Sequence, residues 1–65
     1  MTTVYTAHVR TESSDHYVWV FSKEPTREYV IERLMEYEGA DPEDDREFYF
    51  NTTSVTIEEQ EVVDL

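Results

Sequence analysis

Sixty-five residues with sixteen Asp and Glu, five Lys and Arg and no cysteine describe one small acidic domain, residues 1–65, that has to fold without disulfides or a thiolate metal site. The net charge of −11 argues against nucleic acid or an anionic membrane as a direct ligand, since both are polyanions, and favours a basic partner surface, free cations or a very salty medium. Five Tyr, three Phe and one Trp supply core area that a short chain otherwise lacks, and they set it apart from disordered acidic chains.

In chain order, Thr2 to Arg10 alternates, with Tyr5, Ala7 and Val9 on one face and Thr6, His8 and Arg10 on the other, which predicts a half-buried strand. Thr11 to Asp15 is a polar turn. His16 to Ser22 contains Tyr17-Val18-Trp19-Val20-Phe21, apolar on both faces, and is the candidate central strand of an antiparallel hairpin. The period then changes. Thr26 is placed to cap a helix over Arg27 to Glu38, with Val30, Ile31, Leu34 and Tyr37 at helical spacing and Gly39, the only glycine, at its end. Asp41-Pro42-Glu43-Asp44 starts like a helix, whereas Phe48-Tyr49-Phe50 looks like a strand, so a short helix or turn is expected over residues 42–47. Thr53 to Glu58 alternates again as a third strand, and Glu59 to Leu65 either extends it or frays. The expectation is an α+β domain of order β-β-α-β: a small three-stranded antiparallel sheet packed by one α-helix.

The start of the chain lacks a basic region and a long apolar run, and no stretch approaches the roughly 20 apolar residues of a membrane span, so a cytoplasmic protein is expected. The Asn51-Thr52-Thr53 sequon is accordingly read as coincidence.

Catalytic patterns fail on spacing. Ser13, Ser14, Asp15 and His16 hold the letters of a triad but are sequential neighbours on a turn, where they cannot converge on one reacting atom. Asp41, Glu43 and Asp45 match the first ligands of a calcium loop, but Arg46 stands where glycine is needed and Thr52 where glutamate is needed. His8 and His16 could come near each other across the hairpin, but two histidines alone make a poor zinc site. No enzyme activity, metal or cofactor is expected.

Two acidic constellations remain. Glu28, Glu32 and Glu36 repeat every four residues, about 6 Å apart along one helix face at 1.5 Å per residue. From Glu36 to Glu47 seven acids (Glu36, Glu38, Asp41, Glu43, Asp44, Asp45 and Glu47) face only Arg46. An ordinary solvated surface intersperses both signs. Clustered carboxylates instead present a negative field to a partner that normally binds phosphates.

The stretch His16-Tyr17-Val18-Trp19-Val20, the helix Arg27 to Glu38, and Asp44-Asp45-Arg46-Glu47-Phe48-Tyr49 followed by Val55-Thr56-Ile57 resemble the small acidic inhibitors of bacteriophages and mobile elements, the anti-restriction and anti-CRISPR proteins that imitate DNA. The order of elements is similar to an anti-CRISPR inhibitor of an effector nuclease over residues 15–60, although that inhibitor carries more structure ahead of the matched region. The resemblance implies a stoichiometric inhibitor in the host cytoplasm. It would occupy the basic groove of a CRISPR effector or another DNA-binding defence protein, with carboxylates in place of phosphates and no turnover. Two other readings stand beside it: a salt-adapted housekeeping domain with evenly spread acids, and a small interaction module that is monomeric or pairs as a homodimer through a sheet edge.

Overall fold

A computed structural model describes residues 2–63 of the chain. Five elements follow in order: β1 Thr2–Arg10, β2 His16–Phe21, α1 Arg27–Glu38, α2 Arg46–Thr52 and β3 Ser54–Val62. The sheet is antiparallel throughout, in the order β2-β1-β3, so the α+β class with a small three-stranded sheet holds.

Period-2 alternation on β1 decides the layering. Ala7 and Val9 are fully buried beneath Val30 and Leu34 of α1, and Tyr17, Trp19, Phe21, Tyr49, Val55 and Ile57 complete this core at its margins. The register places Ala7 between Trp19 and Ile57, and Val9 between Tyr17 and Val55, so one face of all three strands is apolar. Neither helix covers the opposite face, which carries Thr6, His8, His16, Val18, Val20 and Thr56.

Two expectations need correction. The two-sided apolar run of β2 suggested a central strand, but β1 is central and β2 lies at an edge, with Val18 52% and Val20 65% exposed. Valine and aromatic residues are favoured on any pleated half-buried surface, so their density does not report position in the sheet. Second, Phe48-Tyr49-Phe50 is helical. Residues 42–44 form a turn, and i→i+4 backbone bonds then step from Asp45 N to Asp41 O (3.1 Å), Tyr49 N to Asp45 O and Thr53 N to Tyr49 O (both 3.0 Å). The helix-start signal at Asp41 is met by the turn at residues 42–44, whose Glu43 and Asp44 N–H groups donate to Asp41 Oδ1, and the helix itself begins at Arg46 behind Asp45 and takes in the aromatic residues.

The helix α1 matches expectation at both ends. Thr26 Oγ1 accepts from Tyr29 N at 3.1 Å. Gly39 takes φ 72°, while its own N–H and that of Ala40 return to Glu36 O and Met35 O, the left-handed closure that glycine makes without a Cβ penalty. Met35 is buried, whereas Tyr37 is 69% exposed. The hairpin loop closes with Thr11 N to Asp15 O at 2.9 Å and places Ser14 at φ 70°. The strand β3 extends through Glu59 to Val62, and Asp64 and Leu65 lie outside the described residues. Because β2 ends opposite Tyr5, the pairs Thr2↔Val62, Thr3↔Glu61 and Val4↔Gln60 continue as a two-stranded ribbon beyond it.

Candidate functional site

The helix α1 has sides of different chemistry, set by its 3.6-residue period. Val30 and Leu34 enter the sheet core. Tyr29, Arg33 and Tyr37 overlook β2: the Tyr29 ring lies 6.0 Å from Phe21, and the Tyr37 ring lies 5.6 Å from Tyr17 and 6.2 Å from Trp19. Arg27 looks toward α2, donating from Nη2 to Phe50 O at 2.7 Å, and so occupies a carbonyl left open at the C-terminal end of that helix. Glu28, Glu32 and Glu36 line the remaining, exposed side.

The nine acids from Glu28 to Glu47 divide by what their carboxylates already hold. Arg46 Nη2 pairs with Glu32 Oε1 at 3.1 Å, and Arg33 Nη1 with Glu36 Oε2 at 3.2 Å. The Arg46 guanidinium also sits 4.5 Å from the centre of the Phe50 ring. Glu38 is clamped by two phenols: Tyr49 Oη donates to Oε1 at 2.6 Å and Tyr17 Oη to Oε2 at 3.2 Å. Asp41 Oδ1 accepts from the backbone N–H groups of Glu43 and Asp44 at 2.8 and 2.9 Å, and Asp45 Oδ2 accepts from Asp41 N at 2.9 Å. Among the described residues, Glu28, Glu43, Asp44 and Glu47 have neither an ion pair nor a side-chain hydrogen bond, and all four are exposed.

Titration follows these contacts. The hydrogen bond to Glu38, with burial second, pushes the Tyr49 phenol up to about 12. Tyr17 is also raised, first by desolvation and then by Glu38. The two backbone donors hold the Asp41 carboxyl below its ordinary value.

The acid row is thus more internally engaged than its spacing suggested. The three arginines of the helical layer are all held within the chain, and four carboxylates are left outward. The clamp on Glu38 and the Arg27 contact had no signal in the sequence, because their partners stand 11 to 23 residues away.

Ser13, Ser14 and Asp15 lie in the hairpin loop. His16 instead opens β2 on the uncovered sheet face, its ring stacked 5.8 Å from His8. His8 Nε2 lies 3.7 Å from Glu58 Oε2. Among the described residues no group of three or more His, Asp or Glu is arranged to hold a metal ion, and no helix is long and apolar enough to cross a membrane.

Comparison with known proteins finds no matching family model, curated protein or solved structure.

Proposed function

We propose that this chain is a non-catalytic binding protein whose acidic helical layer seats on a basic, nucleic-acid-binding surface of a partner. In this reading the partner is a CRISPR effector or another DNA-binding defence protein, and the carboxylates occupy phosphate positions. The observation that carries it is the division of charge. Arg27, Arg33 and Arg46 are spent on contacts within the chain, so Glu28, Glu43, Asp44 and Glu47 face outward with no cation against them. Such a surface speeds encounter with a basic groove and makes association salt-sensitive.

The test substitutes those four residues, because the other five acids already have partners within the chain. Glu28→Lys, Glu43→Lys, Asp44→Lys and Glu47→Lys combined are expected to leave the circular dichroism spectrum unchanged and to abolish capture of a DNA-binding protein from a host lysate. Duplex DNA added in excess is expected to release that protein from the wild-type chain. Capture that survives both the quadruple change and the DNA rules out the acidic layer as the site.

A second reading is favoured by a different observation. Glu58, Glu59 and Glu61 carry the negative charge onto β3, in the other layer of the molecule. Acids on both layers, with one lysine in the whole chain, suit a salt-adapted surface. Circular dichroism across a salt series separates the two: a fold lost at low salt supports salt adaptation, and a fold retained there supports the binding protein.

A further inference from the structure

The two edges of the sheet are unlike. The strand β3 carries Glu58, Glu59 and Glu61, charges of the kind that blunt an edge against pairing. The other edge, β2, has no Asp, Glu, Lys, Arg or Pro between His16 and Phe21, and it exposes Val18 and Val20. A groove of about 280 Å³ runs beside it, lined by Trp19, Val20, Phe21, Arg33 and Tyr37.

We propose that the β2 edge is a self-association site: two copies pair antiparallel about Trp19 and join their sheets into one of six strands. The register follows from backbone parity. Along a strand, alternate residues point their N–H and C=O groups outward, and in an antiparallel pair an outward residue must face another outward residue. Two identical strands therefore pair residues of the same parity, and the two-fold axis passes through a residue facing its own copy. For His16–Phe21 the centres with most overlap are Val18 and Trp19.

Charge chooses between them. Centred on Val18, Asp15 lies opposite the Phe21 ring, and Lys23 lies opposite uncharged Ser13. Centred on Trp19, Asp15 just before the strand and Lys23, the only lysine in the chain, in the bend just after it, are brought to the same end of the pair, and so at both ends. Among the described residues Lys23 has no ion pair within its own chain. The same register sets Tyr17 against Phe21 on the helix side and Val18 against Val20 on the open side, apolar pairs of the kind that stabilise a sheet. It uses none of Glu28, Glu43, Asp44 or Glu47, so it stands independently of the function proposed above.

The test is sedimentation velocity on the whole chain, up to about a millimolar, where a complex worth about 4 kcal/mol is half formed. The wild type is expected to dimerise, more tightly in salt because screening relieves the repulsion between two chains of −11 each. Val20→Lys places a charge on an exposed position of the edge and is expected to give monomer with an unchanged circular dichroism spectrum. Lys23→Asp and Asp15→Lys are each expected to weaken the dimer on the order of tenfold, from two exposed pairs made repulsive, and the double swap to restore it. A monomeric wild type overturns the proposal, as does a dimer that tolerates Val20→Lys. A double swap no better than its parents overturns the register.

Discussion

Replacing Tyr49 by Phe deletes one hydroxyl and keeps the ring that packs at the margin of the core. The hydroxyl donates to Glu38 at 2.6 Å, inside the short range of an O–H···O⁻ bond. Hydrogen bonds to charged groups contribute about 1.5–3 kcal/mol when water is excluded. Glu38 is exposed and keeps Tyr17 at 3.2 Å, so competition from water reduces the expected loss to about 0.5–1 kcal/mol. For a domain of this length that is a fall in Tm of about 2–8 °C. The pH dependence supplies a second readout. The folded Tyr49 phenol is raised to about 12 from an ordinary 10.0. Its contribution is therefore fully present below pH 10 and is lost as the pH rises from 10 toward 12. Thermal melts of wild type and Tyr49→Phe should differ at pH 7 and converge near pH 12, and the wild-type absorbance at 295 nm should show a late phenolate phase that the variant lacks. A variant as stable as wild type at pH 7, or a gap that persists undiminished at pH 12, refutes the clamp.

Other positions give equally direct expectations. Gly39→Ala forces a Cβ into φ 72° where no atom lies within 4 Å, so backbone strain alone should destabilise by about 1–2 kcal/mol in urea unfolding, with Asn tolerated better. Ser14→Gly relieves a residue at φ 70° and should stabilise by about 0.5–1 kcal/mol, read as a higher urea midpoint. Leu34→Ala empties a fully buried site and should cost about 2–5 kcal/mol, a large share of a small domain's stability, visible as a flattened urea transition. Asp41→Asn should destabilise at neutral pH. The Asp41 carboxyl is held below its ordinary 3.8, so its contribution exists above that value and disappears as the pH falls through the folded pKa. Acid melts of the two proteins should therefore merge.

Local signals in the sequence were enough for α1, with its Thr26 cap and Gly39 closure, and for β1, where Ala7 and Val9 alternate with polar residues. The third strand was legible for the same reason. What failed was position. His16–Phe21 reads as central because both faces are apolar, yet hydropathy cannot separate a strand buried on two sides from an edge that leaves valines in water. Phe48-Tyr49-Phe50 has strand-like composition, and only the backbone ladder begun at Asp41 makes it helical. The acid row was visible as nine carboxylates, but which of them are engaged depended on Arg33, Arg46, Tyr17 and Tyr49 arriving from elsewhere in the chain. Spacing along one helix reports a face; it does not report the neighbours of that face.

The ribbon that outruns β2 brings the start of β1 beside the end of β3. Thr2 and Val62 face one another across a strand pair, a separation of about 5 Å, so a short linker can join the two described ends without disturbing a single ladder bond. Opening the ring between Ser13 and Ser14, in an exposed loop, would then start a permuted chain at β2 and finish it with β3 running directly into β1. In that permutant the two strands of the longest pairing become a hairpin in sequence, while β1 and β2, a hairpin in the native chain, become its two far-separated ends, so the long-range closure moves from one edge of the sheet to the other.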